Sequence, residues 1–120
     1  MALKKIINTH NFPFKYKIWL ETSKGTGILG DGKIDFLKSI DKEGSIQAAS
    51  KEKQISYRKA WDDLKHAEEM LGFPLVIKSR GGSDGGSTCL TDECKALMKA
   101  YDGLHKEFDK AFGKILSSKK

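Results

Sequence analysis

The chain has 120 residues, a formal net charge of +6 and 32% charged residues. This length fits one compact domain that buries a core without disulfide bonds or metal ions. Two cysteines are too few for a disulfide framework, and no apolar run approaches a membrane span or a signal peptide. We therefore expect a cytoplasmic protein with reduced thiols and no membrane contact, and the positive charge favours an anionic partner.

The first elements are a weakly patterned segment and a hairpin. Residues 1–14 show little periodicity, and we expect them to be weakly ordered. Apolar and polar residues alternate over residues 15–22, which predicts a strand with one buried face. The buried face should comprise Tyr16, Ile18 and Leu20. A turn at residues 23–27 then leads into a short return strand at residues 28–29.

Two short helices joined by a tight turn follow, after a helix that should end at Gly44. Ser45 is a suitable N-cap for the first of them, and Ser56 for the second, which should run to about Leu71. The turn lies at residues 53–55. The stripe predicted to face the core comprises Tyr57, Ala60, Trp61, Leu64, Ala67 and Leu71. This layout is typical of a helix-turn-helix, whose second helix enters the DNA major groove.

A β-hairpin and a long helix complete the predicted fold. Apolar strands at residues 75–77 and 88–90 flank a glycine-rich tip, which in a winged helix is the wing. Thr91 then caps a helix whose apolar residues alternate at spacings of three and four, the pattern of a heptad seam. The seam residues are Cys94, Leu97, Tyr101, Leu104, Phe108, Ala111 and Ile115. We expect this seam to form a homodimer; the alternative is a helix that packs along its own domain.

The candidate DNA contacts lie on the helix-turn-helix and the wing. Arg58, near the start of the predicted recognition helix, can bind O6 and N7 of guanine with two hydrogen bonds. Glycines at the wing tip would let the backbone approach DNA closely, whereas Asp84 opposes phosphate contact there. The full set comprises Ser45, Gln47, Lys51, Ser56, Tyr57, Arg58, Lys59, Lys78, Arg80, Gly81, Gly82, Gly85 and Gly86.

No catalytic or cofactor pattern accompanies these residues. The three histidines fall in unrelated segments, and no serine or cysteine has a base in an obvious relation to it. Cys89, Cys94 and His105 do not match a zinc-binding spacing. The glycine-rich tip joins strand to strand and lacks the lysine of a phosphate-binding loop. We therefore predict no enzyme activity, no metal and no cofactor.

The central motifs resemble a known family. The strings GSIQAA at residues 44–49, ISYRKAW at 55–61, LV at 75–76 and the glycine-rich stretch at 79–86 resemble the N-terminal DNA-binding domain of ModE-type molybdate-responsive transcription regulators. A looser similarity links the same pattern to LysR-type regulators. The resemblance covers about residues 15–113. It implies a mainly α-helical α+β fold, a winged helix-turn-helix that binds double-stranded DNA, and dimerisation through the long C-terminal helix.

The chain also departs from this family. Full-length members carry a downstream oxyanion-binding module, which we do not expect within a sequence that ends at Lys120. The expected layout is residues 1–14 as an N-terminal segment, 15–90 as the DNA-binding domain and 91–116 as the dimerisation helix. Gln54 stands where the family usually has glycine in the turn, and a positive φ there would cost about 1 kcal/mol.

The predicted function is therefore that of a homodimeric, sequence-specific bacterial transcription regulator. Two alternatives stay open. One is a winged-helix protein-interaction module, favoured by the acidic residues Asp62, Asp63, Glu68 and Glu69 on the second helix of the helix-turn-helix. The other is a sensor of a small ligand or oxyanion, with a pocket beside Trp19 and the long helix. The identity of any effector is left open.

Overall fold

The computed structural model describes residue 5, residues 14–79 and residues 87–117. The elements in chain order are β1 (Leu20–Glu21), β2 (Gly27–Leu29), α1 (Asp31–Glu43), α2 (Ile46–Lys53), α3 (Tyr57–Leu71), β3 (Val76–Ser79), β4 (Ser87–Leu90) and α4 (Asp92–Leu116). The strands form two separate antiparallel hairpins, β1–β2 and β3–β4. This arrangement confirms the predicted α+β fold, with a helix-turn-helix, a wing hairpin and a long last helix. No helix in these ranges is long and apolar enough to cross a membrane.

The helix boundaries follow the predicted capping residues. The hydroxyl oxygens of Ser45, Ser56 and Thr91 each accept a hydrogen bond at 3.0 Å from the backbone N–H three residues on. Each bond satisfies one of the N–H groups that a helix start leaves without an intrahelical partner. At the other end of α1, Gly44 takes a left-handed conformation with φ 78°, and its N–H donates to the carbonyl of Ile40. Local sequence signals thus define where the helices begin and end.

The core lies between α1, the helix-turn-helix, the wing and the first turn of α4. Ala49 on α2 and Ala60 on α3 are fully buried, and their small side chains let the two helices approach closely. The buried apolar residues are Ile28, Leu29, Ile34, Phe36, Leu37, Ile40, Ile46, Ala49, Ala60, Leu64, Ala67, Leu75, Leu90 and Cys94. On α3 the prediction holds for Ala60, Leu64 and Ala67, but Trp61 and Leu71 are only half-buried.

The predicted strand over residues 15–22 is largely wrong. Only Leu20–Glu21 pairs with a neighbouring strand, and Leu20 is 37% exposed instead of buried. The preceding residues run beside α4, where the carbonyl of Ile18 accepts a hydrogen bond from the Tyr101 hydroxyl at 3.2 Å. Tyr16 and Ile18 are half-buried, in keeping with the alternating pattern, but they lie against α4 and not within a sheet.

The wing is attached to the rest of the domain at its base. The N–H of Thr88 donates to the carbonyl of Gly44 at 2.9 Å, and the N–H of Thr91 donates to the carbonyl of Leu75 at 3.0 Å. The Thr91 hydroxyl also donates to the carbonyl of Pro74 at 2.8 Å. These bonds fix the base of the hairpin between the end of α1 and the start of α4. In the chain the hairpin directly follows α3, as predicted.

Candidate nucleic-acid interface

The turn of the helix-turn-helix is closed by a left-handed residue. Gln54 has φ 58° and ψ 43°, and it is the one non-glycine residue with positive φ among those described. Its N–H donates to the carbonyl of Lys51, and the N–H of Ile55 donates to the carbonyl of Ser50 at 3.0 Å. This pair of bonds is the Schellman arrangement that ends many helices. Gln54 therefore has a positive φ at the position where ModE-type regulators are expected to carry glycine.

The first turn of α3 presents polar side chains to solvent. Ser56, Tyr57, Arg58 and Lys59 are all exposed. Tyr57 is 46% exposed, which corrects its predicted place in the core-facing stripe: at the first helical position it precedes the part of α3 that packs against α2. Among the described residues, Arg58 has no ion pair or side-chain hydrogen bond. Its guanidinium is thus available to a ligand, and the positive end of the helix dipole lies beside it.

The other basic residue of this turn is already engaged. The ammonium of Lys59 lies 3.0 Å from a carboxylate oxygen of Asp63, one turn further along the helix. The Ser56 hydroxyl accepts the N-cap bond but still has its own proton to donate. These contacts rank Arg58 ahead of Lys59 as a candidate for base or phosphate contact.

The acidic residues of α3 have different surroundings. Glu68 is half-buried, and its Oε2 accepts hydrogen bonds from the N–H of Leu75 at 2.7 Å and of Val76 at 3.3 Å. Asp63 pairs with Lys59, whereas Asp62 and Glu69 are exposed. Two of the four carboxylates that favour a protein-interaction module therefore have structural partners within the chain.

Helix α2 contributes two further exposed polar residues. Gln47 and Lys51 lie one turn apart, both facing solvent. Ser45 is half-buried and serves as the N-cap of α2. On the opposite side of α2, Glu52 bonds to the Ser39 hydroxyl and to the Lys42 ammonium of α1, at 2.6 Å for the latter. This network holds α2 against α1 and leaves the face with Gln47 and Lys51 free.

The wing places one candidate contact, Lys78, against α3. The ammonium of Lys78 lies over the indole ring of Trp61, 5.1 Å from its centroid. Trp61 in turn meets Tyr57 edge-on, with ring centroids 6.3 Å apart. The remaining wing candidates, Arg80, Gly81, Gly82, Gly85 and Gly86, lie outside the described residues. Sequence reasoning assigned Trp61 to the core and missed this contact, because a cation over a ring has no signature in local spacing.

The predicted seam of α4 divides into two parts. Cys94 is fully buried in the chain's own core, so its assignment to an intermolecular seam is wrong; burial also raises the pKa of its thiol to about 11. Leu97 and Tyr101 are half-buried against the same core. The later seam residues are exposed: Leu104 at 56%, Phe108 at 48% and Ile115 at 62%, together with Ala111.

A polar network holds the segment before β1 against α4. The Tyr16 hydroxyl donates to Asp109, and the Tyr16 ring packs on Phe112 with centroids 4.7 Å apart. His105 Nδ1 lies 3.1 Å from the second oxygen of Asp109. Hydrogen bonding from Tyr16, aided by His105, lowers the pKa of Asp109. This face of α4 therefore packs along its own chain, as the alternative prediction has it, whereas the face with Leu104, Phe108 and Ile115 is exposed.

An apolar groove of about 540 Å³ lies between this segment and α4. Trp19, 59% exposed, and Leu20 form one wall, and Tyr101, Leu104 and Phe108 form the other. The groove lies where a pocket beside Trp19 was predicted. Its lining offers mainly apolar carbon, with Lys17 and Glu21 as its charged residues.

Comparisons with known proteins bear on the resemblance noted from the sequence. The chain is 35% identical over 102 residues to the molybdenum transport protein ModE of Azotobacter vinelandii, covering 85% of this chain and 37% of the relative. It is 36% identical over 80 residues to the transcriptional regulator ModE of Haemophilus influenzae, covering 67% of this chain and 31% of that relative. The chain is a homologue of the ModE-type regulators. This confirms the predicted resemblance.

Other relatives mark the extent of this homology. The molybdenum-pterin-binding protein MopB of Rhodobacter capsulatus is 33% identical over 90 residues, covering 75% of this chain and 32% of MopB. The chain thus spans about a third of the length of the curated relatives it matches. None of these relatives is named as an enzyme, in line with the predicted absence of catalysis. No model of a protein family matches the chain.

A solved structure supports the fold. ArgP from Mycobacterium tuberculosis, a LysR-type regulator, superposes with a TM-score of 0.51 at 16% identity, covering 69% of this chain and 29% of ArgP. At this identity the likeness concerns the fold alone. It agrees with the looser LysR-type similarity seen in the sequence.

Proposed function

We propose that this chain is a sequence-specific DNA-binding module of a transcription regulator, with α3 as its recognition helix. The observation that carries the proposal is the exposed Arg58 in the first turn of α3, which has no ion pair within residues 14–79 and 87–117, on a helix-turn-helix homologous to the ModE-type regulators. Arginine at this place can bind guanine with two hydrogen bonds. Gln47, Lys51 and Lys59 supply further donors for phosphates. In this proposal residues 15–90 form the DNA-binding domain.

We further propose that residues 91–116 join two copies of the chain through the exposed part of α4. Leu104, Phe108, Ala111 and Ile115 follow one another at spacings of three and four along one helix face. At 1.5 Å per residue, the 25 residues of α4 extend about 37 Å, beyond what the domain core covers. The groove between Trp19 and α4 continues this apolar face and would widen the interface.

The homodimer has a consequence for the DNA site. Two recognition helices related by a two-fold axis would meet half-sites about one helical turn of DNA apart, or 10 base pairs. An inverted repeat is therefore the expected operator. The alternative of an oxyanion sensor is less favoured, since the groove beside Trp19 is mainly apolar and offers few donors for an anion.

The experiment that tests this function is selection of bound duplexes from a random library at moderate salt. We expect enrichment of an inverted repeat whose half-sites are about 10 base pairs apart. Recovery of protein partners from the same chain, without salt-sensitive binding to any duplex, would favour the interaction module instead. Melting curves with molybdate and tungstate test the sensor, and an unchanged melting temperature in both would count against it.

A further inference from the structure

Lys78 of β3 lies on the face of the wing hairpin that is turned to the domain. Lys78 pairs with Thr88, and Val76 pairs with Leu90, so these four side chains share one face. Thr88 and Leu90 are buried, which identifies this face as the inner one. Ile77, on the outer face, is 52% exposed. The Lys78 stem therefore starts on the face that is turned to the domain, and its ammonium lies over Trp61 of α3.

Trp61 links this lysine to the start of the recognition helix. Tyr57 and Trp61 are four residues apart on α3 and hence lie on the same helix face. Their rings meet edge to face at 84°, with Tyr57 one turn nearer the N-terminus. Trp61 is half-buried and Tyr57 exposed, so the indole has one side on the core and another toward solvent. We call Tyr57, Trp61 and Lys78 the aromatic–lysine cluster.

We propose that Trp61 is a positioning residue, which holds the Lys78 ammonium beside the first turn of α3 so that Lys78 and Tyr57 contact backbone phosphates of one DNA strand. This rests on the proposed DNA-binding function. A cation is attracted to the face of an indole, and that contact leaves ammonium protons free for a phosphate. It also limits the side-chain freedom that a lysine loses when it binds. The cluster would thereby fix the wing and the recognition helix on the same strand.

A double-mutant cycle on DNA affinity tests the proposal. Loss of one phosphate contact in Lys78→Ala should weaken binding roughly three- to tenfold and reduce the salt slope by about 0.9. Trp61→Leu should have the same two effects, whereas Trp61→Phe, which keeps an aromatic face, should stay within about twofold of the parent. The double variant should bind no more weakly than Lys78→Ala alone. Two results would overturn the proposal. One is a loss of DNA affinity in the double variant that equals the product of the two single losses, and the other is an unchanged salt slope in Trp61→Leu.

The controls separate this inference from the proposed function. Lys99→Ala removes one exposed positive charge from α4 and should leave the slope unchanged. A parent chain that binds no duplex in a salt-dependent way refutes the proposed function, and with it the role of the cluster on DNA. In a Trp19→Phe background, Trp61 is the one remaining tryptophan. Its fluorescence should change on Lys78→Ala without DNA; unchanged emission contradicts the pairing, even where Trp61→Leu fails to fold.

Discussion

The carboxylate of Glu68 on α3 accepts a hydrogen bond from the backbone N–H of Leu75, at 2.7 Å, just before the wing begins. Leu75 is fully buried, so this N–H has no access to water. The same oxygen also receives the N–H of Val76. An acidic side chain on α3 thus fixes the start of the strand that follows it, and its carboxylate is engaged within the chain.

Replacement of Glu68 should destabilise the fold. Glu68→Ala leaves a buried N–H unpaired, which costs about 1–3 kcal/mol in the free energy of unfolding. Glu68→Gln keeps an acceptor oxygen and should cost less. Urea denaturation measures both, with Glu69→Ala as the exposed control on the same helix, expected within about 0.5 kcal/mol of the parent. Equal stability of the Glu68→Ala and Glu69→Ala variants would show that the hydrogen bond between Glu68 and Leu75 does not stabilise the fold.

The left-handed Gln54 predicts a stabilising substitution. Because its φ is 58°, Gln54→Gly removes a backbone strain of about 1 kcal/mol, partly offset by the greater freedom of glycine when unfolded. We expect a net gain of about 0.5 kcal/mol by thermal or urea unfolding. Gly44→Ala is the reverse test: φ is 78° there and a Cβ would meet open space, so about 1 kcal/mol should be lost from strain alone. A loss of stability in Gln54→Gly contradicts this interpretation of the turn.

The contact between Tyr16 and α4 should make stability depend on pH. Partial burial and the bond to Asp109 raise the pKa of Tyr16 to about 12, above the value of about 10 in an unfolded chain. The stabilisation of the fold by the Tyr16 hydroxyl is therefore fully present below pH 10 and is lost as the pH rises toward 12. The pKa of Asp109 is lowered in the folded chain. The stabilisation by its carboxylate is therefore present above the ordinary pKa of aspartate and is lost as the pH falls through the lowered pKa.

Tyr16→Phe should flatten both limbs of this profile. The measurement is the free energy of unfolding from acid to alkaline pH for the parent and for this variant. Tyr57→Phe removes a hydroxyl from an exposed tyrosine and serves as the control, with a profile like that of the parent. Parallel profiles for the parent and Tyr16→Phe would mean that the segment before β1 leaves α4 in solution.

The proposed dimer depends on the exposed half of the seam. Leu104→Asp places a charge on the apolar face and should shift the protein toward the monomer in sedimentation velocity, as should Phe108→Asp. Lys106→Asp changes an exposed residue off that face and should sediment like the parent. If Leu104→Asp also sediments like the parent, the exposed half of α4 is not the interface.

The parts of the fold that sequence reasoning predicted correctly depend on local chemistry. Ser45, Ser56 and Thr91 cap helices because their hydroxyls reach a backbone N–H three residues on, and this relation is visible in sequence. Gly44 and Gln54 end helices through left-handed conformations at places that the pattern marks. The order of helix-turn-helix, wing and long helix follows from these local signals.

The parts that were mispredicted depend on contacts between distant residues. The alternation over residues 15–22 has the same period whether the segment pairs in a sheet or packs on a helix. Contacts with the distant α4, such as the bond from the Tyr101 hydroxyl to the Ile18 carbonyl, distinguish the two. Cys94 fits the heptad spacing as well as Leu104 does, yet the first turn of α4 is covered by the domain's own core. The place of Lys78 over Trp61 joins residues of the wing and of α3 that are 17 positions apart, which no local pattern specifies.

The most direct test of DNA recognition by α3 is the affinity of the Arg58→Ala variant for a duplex selected by the parent chain, measured together with its base preference at each position. We expect a loss of about 1–3 kcal/mol in binding and a relaxed preference at one position of each half-site, with the fold intact. Lys59→Ala should lose less, because Asp63 already pairs with that ammonium. Unchanged affinity and an unchanged preference in Arg58→Ala would contradict the assignment of α3 as the recognition helix.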